Sequence, residues 1–395
     1  MAGVTPRADA LPRGRLRFTG LAFALGVLIL GTNLPSPLYA VYGHRFGFSP
    51  LTITMLVSVY VAVLVPALLV CGSLADSAGL RRVVVPAIAA AALGAVLFAV
   101  AGGTGWLFAA RSVQGLAVGA ASGPLTAALV ATEPAGNQAR ASLLGSLMTT
   151  CGAGLGPVLA GGLAQYAPAP LVLCYLLELG LLAVALGVVA PLRGGGRGRA
   201  RMRLPRIPAE IRTPFAVAGA VSFLAWAVAY IVLGLVPSYV EGAVHSGNLL
   251  LGGGAAGMLL LCAAVAQVAF ARWPPVRTMP AGLVLLVLGL VGLVAAGLLS
   301  SVPLLLGTVA VTGIGQGLAF MGALRRVNGL APPAERAGVA SAFYVVTYLG
   351  GGGPVIVVGL LAIPLGLVPA VQLAAGVLAL ACLAVLVAVR RSEYT

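Results

Sequence analysis

Lysine is absent from this chain of 395 residues, so all 23 of its basic residues are arginine. Without lysine there is no G-x-x-x-x-G-K loop to cradle a nucleotide's phosphates, which excludes ATP-driven pumping. Acids are scarce, eight in all, and there are two histidines, His44 and His245, both between apolar runs. Together with Glu178, the one carboxylate well inside an apolar run, they do not supply the clustered nucleophile, base or metal ligands that a membrane enzyme needs. Cys71, Cys151, Cys174, Cys262 and Cys382 lie in or beside apolar runs with no metal-ligand spacing and no exposed loop position suited to a disulfide. They read as small packing residues. Charged residues make up 8% of the chain, where a soluble domain carries about a quarter. No stretch is left for a soluble sensing or output domain, which argues against a receptor.

What is present is apolar. Hydrophobic residues reach 61% and the mean hydropathy is +1.10. At about twenty residues per crossing, that is enough for about twelve transmembrane helices. Apolar runs and their breakers predict spans over 18–40, 52–74, 83–102, 104–131, 140–166 and 170–191, then 214–239, 249–271, 279–300, 303–327, 337–361 and 365–389. The first run is long for a signal peptide and is followed by many others, so it reads as a retained helix. The stretch 192–213, rich in Gly, Pro and Arg, is the one clear change of composition. It divides the chain into an N-terminal unit, 1–191, and a C-terminal unit, 214–395.

A net charge of +15 would suit nucleic acid, but its placement rejects that reading. Arg7, Arg13, Arg15 and Arg17 precede the first run, Arg81 and Arg82 follow the second, and Arg140 precedes the fifth. The linker carries seven more, Arg272 and Arg277 follow the eighth run, Arg325, Arg326 and Arg336 the tenth, and Arg390 and Arg391 the last. Only Arg45 falls on the opposite side and only Arg111 within a span. This is the positive-inside pattern, with both termini cytoplasmic and an even number of spans. The two units also echo each other about 200 residues apart: Pro37 and Tyr39 with Pro237 and Tyr239, Gln114-Gly115 with Gln316-Gly317, and Gly156-Pro157 with Gly353-Pro354.

Between the second and third runs lies Gly72-Ser-Leu-Ala-Asp76-Ser-Ala-Gly79-Leu-Arg81-Arg82, a short polar turn with one acid and two arginines. It resembles the signature loop of the major facilitator superfamily, G-x-x-x-D-basic-x-G-basic-basic, at Gly72, Asp76, Gly79, Arg81 and Arg82, and departs from it at Ser77 and Leu80. Arg111-Ser-Val-Gln114-Gly115 resembles the R-x-x-Q-G motif of proton-coupled members. Gly152-Ala-Gly-Leu-Gly156-Pro157-Val-Leu-Ala-Gly161 resembles the antiporter motif of their fifth span, with Ala160 in place of one glycine.

The resemblance implies an all-α membrane protein of twelve helices in two pseudo-symmetric six-helix bundles, with a substrate site between them near the midplane. It implies that Arg111 faces the cavity and takes part in proton coupling, and that Asp76 is a gating acid. Because Ser77 is not basic, the partner of Asp76 lies elsewhere, with Arg82 and Arg140 as candidates. Glu178 is either a proton carrier or a structural partner of Arg111. Further cavity candidates are Asn33, Tyr39, Trp226, Tyr230, Gln316, Tyr344 and Tyr348; Tyr39 also suits an interfacial belt or an outer gate. Four consecutive glycines, 350–353, make the eleventh span a candidate for local unwinding.

The expected function is proton-coupled export of small organic, drug-like molecules, with Arg111 favouring neutral or anionic ones. The alternative is a proton-coupled importer or facilitator of sugars or other small nutrients. The expected partners are a small-molecule substrate, protons and membrane lipids, with no cofactor, metal or nucleic acid, and the chain is expected to act as a monomer. Its Ala-, Gly- and Arg-heavy composition suggests a GC-rich bacterial genome and hence the inner membrane.

Overall fold

The computed structural model describes residues 10–47, 50–192, 207–244, 249–299, 301–333 and 335–391. Among them thirteen α-helices and one short 3-10 turn account for the regular structure, and there is no strand. In chain order they are α1 (Ala10–Asn33), α2 (Pro35–Phe46), α3 (Pro50–Ala78), α4 (Leu80–Ala99), α5 (Thr104–Thr132), α6 (Gln138–Tyr166) and α7 (Leu173–Val189). After the linker come α8 (Arg212–Val244), α9 (Leu249–Ala269), α10 (Pro275–Leu299), α11 (Val302–Leu330), α12 (Arg336–Leu365) and α13 (Leu367–Arg391). In lipid only a helix or a closed barrel satisfies its own backbone, so apolar runs of this length fold as helices. Among the described residues ten stretches are long and apolar enough to cross a membrane, and Leu173–Val189 and Gly257–Ala269 are shorter apolar helices.

The packing repeats along the chain. α1 lies on α6 as α8 lies on α12, α3 on α5 as α9 on α11, and α4 on α5 and α7 as α10 on α11 and α13. Glycines set the close approaches. A Cβ on Gly115 or Gly119 of α5 would stand 2.5 Å from the carbonyl oxygens of Tyr60 and Leu64 on α3. Gly313 and Gly317 of α11 meet the carbonyls of Leu259 and Ala263 on α9 in the same way. Gly152 and Gly156 of α6 leave no room for a Cβ against α1, which would come within 2.5 Å of the Gly26 oxygen and 2.6 Å of the Leu30 oxygen. Small residues at this spacing let helix backbones touch where lipid supplies no hydrophobic drive.

Three expectations are corrected. The first span is not one continuous helix: it breaks between Asn33 and Pro35, because prolines at 35 and 37 remove two helical N–H donors. The polar turn after α3 is shorter than its composition suggests. α3 runs through Ala78, and the chain reverses at Gly79 alone, whose φ of 97° suits glycine. Gly72 is not a turn residue; it sits inside α3, with Ala337 and Ser341 of α12 where its side chain would be. The four glycines 350–353 do not unwind, since α12 is continuous through them. Gly350 abuts the backbone of Phe223 on α8, and Gly351 lies under the ring of Tyr230, so missing side chains there make a packing surface.

Candidate functional site: a central cavity around Arg111

A cavity lies between α1, α2, α3, α5 and α6 on one side and α8 and α12 on the other. Its lining combines aromatics (Tyr60, Trp226, Tyr230, Tyr344, Tyr348), hydroxyls (Thr32, Ser36, Thr149, Thr347), Asn33, and a single charged side chain, Arg111. Arg111 stands two turns into α5, on the face that buries Ala110, Gln114 and Gly115, while Trp106 and Leu116 are exposed. It is 5% exposed and points inward, so it does not snorkel toward the outer interface.

An arginine within a span costs about 2.5–3.5 kcal/mol on insertion scales. Here Nε donates to the Tyr39 hydroxyl, and Nη1 donates to the Thr32 carbonyl at 2.7 Å and to Gln114 Oε1 at 3.1 Å. The guanidinium also lies 5.3, 5.5 and 5.9 Å from the ring centres of Tyr39, Tyr60 and Phe98. Charge-assisted hydrogen bonds and cation–π contacts of about 0.5–2 kcal/mol each offset the burial.

The place of Gln114 beside Arg111 has a local cause. In a continuous helix the Gly31 carbonyl would accept from residue 35, but that residue is proline and has no N–H. Gln114 Nε2 donates to it instead, at 3.2 Å. Arg111 takes the next carbonyl, that of Thr32. The R-x-x-Q pair on α5 therefore caps the break in the first span.

Glu178 on α7 is 2% exposed and packs against Gly31 from the opposite side, where a Cβ on Gly31 would collide with its carboxylate. Its Oε2 has no hydrogen-bond partner. It does not line the cavity, and it makes no ion pair with Arg111.

The sequence-predicted residues divide. Asn33, Arg111, Trp226, Tyr230, Tyr344 and Tyr348 line the cavity. Tyr39 and Gln114 stand behind Arg111 and hold it. Gln316 is fully buried on α11 away from the lining, and neither atom of its amide is partnered. It occupies the place in α11 that Gln114 holds in α5, but α8 on that side runs unbroken from Arg212 to Val244. Gly152 and Gly156 serve the α1–α6 contact, and Pro157 and Gly161 are buried within α6. Tyr60, Thr149 and Thr347 were not foreseen. The signal was there for two of them, because Thr149 and Thr347 are hydroxyls at matching places in α6 and α12, about 200 residues apart.

At the end where Arg81, Arg140 and Arg336 lie, polar bonds cross between the two sets of helices. Asn328 of α11 donates to Ser142 of α6 at 3.0 Å. Ser146 and Thr150 of α6 bond Gln267 of α9 at 3.1 and 2.9 Å. Nearer the centre, in the lining of the cavity, the Tyr344 hydroxyl meets Thr126 at 3.0 Å and Thr149 at 3.5 Å. Arg140 lies 3.4 Å from the buried carboxylate of Glu133. The side chain of Asp76 is outside the described residues, and Arg81 and Arg82 are exposed in the first turn of α4.

The family model for the Major Facilitator Superfamily matches residues 21–354. The chain belongs to that superfamily. Its fold is similar to the crystal structure of the human organic anion transporter MFSD10 (TETRAN), with a TM-score of 0.73 at 17% sequence identity, over 94% of this chain and 99% of that one. At that identity the likeness establishes the fold. No curated protein matches the sequence. The chain is thus a transporter of the major facilitator superfamily, and the cavity around Arg111 is its candidate substrate site.

Proposed function

We propose that this facilitator is a secondary active exporter of small, partly apolar organic molecules, neutral or anionic, driven by protons. Access would alternate between the halves 1–191 and 214–395, joined by the linker 192–213. The observation that carries the reading is Arg111. It is the one charged side chain in an aromatic-lined cavity that both halves build, and its Nη2 enters none of the hydrogen bonds that hold the rest of the guanidinium. Those donors can meet a carboxylate, phosphonate or carbonyl on a substrate, while the tyrosines and Trp226 hold its apolar body. The name of the structurally similar human protein, an organic anion transporter, agrees with such cargo.

Export is supported by the α6 glycines, which match the antiporter motif and seat α6 on α1. Proton coupling is supported by Glu178 and Gln114 meeting on Gly31, with Arg111 on the neighbouring carbonyl. A proton gained or lost at Glu178 would bear on the same break that positions Arg111. With both termini cytoplasmic in a bacterial inner membrane and the chain monomeric, the polar bonds among Ser142, Gln267 and Asn328 close the cytoplasmic side, and the cavity belongs to an outward-facing state.

The test uses proteoliposomes with an imposed pH gradient and a panel of radiolabelled organic anions and neutral drugs. Substrate moving against the inward proton flow supports export, and loss of coupled flux in Glu178→Gln with exchange retained supports the proton role. Substrate entering together with protons would instead make the protein an importer.

A further inference from the structure

A second cavity opens at the arginine-bearing end between α1, α3, α4, α5, the end of α7 and the start of α12. Its walls are apolar (Leu21, Leu80, Ala127, Val189, Leu192), and three guanidiniums from three helices stand around it, Arg17, Arg81 and Arg336. None of the three forms an ion pair with a described acid. Arg17 and Arg81 are exposed, and Arg336 Nε is buried without a hydrogen-bond partner. The acids nearest in sequence are Asp76 and Glu335, and with Arg82 also counted the arginines outnumber them. Like charges gathered over an apolar crevice repel one another unless an anion joins them.

We propose that this cavity binds the phosphate headgroup of an anionic phospholipid from the adjoining leaflet. Guanidinium forks match phosphate oxygens in pairs, and basic pockets between helices at the headgroup level are where such lipids are held. The apolar walls suit the glycerol and upper acyl carbons, which a free phosphate would leave bare. That contrast, and the position at the ends of the spans, favours lipid over a soluble phosphate. The site is separate from the Arg111 cavity and does not depend on what that cavity carries.

The test measures lipid retention by native mass spectrometry and thermal unfolding of the full chain in detergent, with added phosphatidylglycerol, phosphatidylcholine or inorganic phosphate. Phosphatidylglycerol is expected to stay bound and raise Tm, and phosphatidylcholine to do neither. Arg17→Gln, Arg81→Gln and Arg336→Gln should each weaken retention about fivefold, and the triple variant about a hundredfold. Arg390→Gln with Arg391→Gln, at the end of α13 and outside the cavity, should leave it unchanged. Should the triple variant not fold, Arg81→Gln alone decides, because that side chain is exposed. Equal retention of both lipids, or unchanged retention in these variants, overturns the proposal. So does inorganic phosphate that displaces phosphatidylglycerol and reproduces its effect, which would assign the site to a soluble anion.

Discussion

Arg111 shows how one costly residue organises its surroundings. Its side chain satisfies the Thr32 carbonyl and the Tyr39 hydroxyl, both of which would otherwise be buried and unpaired. Each orphaned group costs about 1–3 kcal/mol. Arg111→Met is therefore expected to lower thermal stability by a few kcal/mol and to abolish transport. Arg111→Lys keeps the charge but not the fork, and should recover stability in part while transport stays at least tenfold down. Transport assays paired with unfolding curves separate the two effects. Arg111 was legible from its motif and from its cost inside a span. Tyr60 was not, because a lone tyrosine in an apolar run looks the same whether it faces lipid, core or cavity. Gln316, which the repeat links to Gln114, is buried on α11 outside the lining, beside an α8 that runs unbroken from Arg212 to Val244.

The first span is the element whose chemistry and shape are most closely tied. Pro35 opens the helix, and Gln114 closes the gap that opening leaves. If Gln114 caps the break, Gln114→Leu should cost about 1 kcal/mol in the native background and much less in Pro35→Ala, where Gly31 regains an in-helix donor. Equal costs in a double-mutant cycle would reject the cap. The α1–α6 contact gives a second prediction. Gly156→Val would drive a side chain into the Leu30 carbonyl, only 2.6 Å from where its Cβ would stand. Expression and Tm should fall, by about 1–3 kcal/mol of stability. Gly187→Val on α7, with nothing within 4 Å of its Cβ position, should be tolerated. Glycine spacing was readable in the sequence for both α6 and α12. Which glycines bend the chain and which seat a neighbour was not, because both uses need only the absence of a side chain.

For the whole molecule, polar bonds join the two sets of helices on one side of the cavity, through Ser142, Ser146, Thr150, Gln267 and Asn328. They must break if that side is ever to open. In a chain with its five cysteines replaced, Ser142→Cys with Asn328→Cys should be joined by a short bifunctional thiol reagent. Transport should then stop and return on cleavage of the linker. Asn328→Ala, which removes one of these bonds, should instead populate the state open on that side. Labelling of cysteines placed along α11 and α6 would report the shift.

The sequence by itself determined that this chain is a bundle of membrane helices, where most of them begin and end, and that an arginine is held inside the fourth. Those facts follow from hydropathy, from charge placement and from the backbone's need to bond within each span, all of which are local. Only the tertiary structure decided which polar residues share a cavity, that the first span breaks, and that Gln114 reaches the carbonyl the break leaves open. Helix faces are set by packing against neighbours, and in a chain apolar on almost every side no periodicity marks which face that will be.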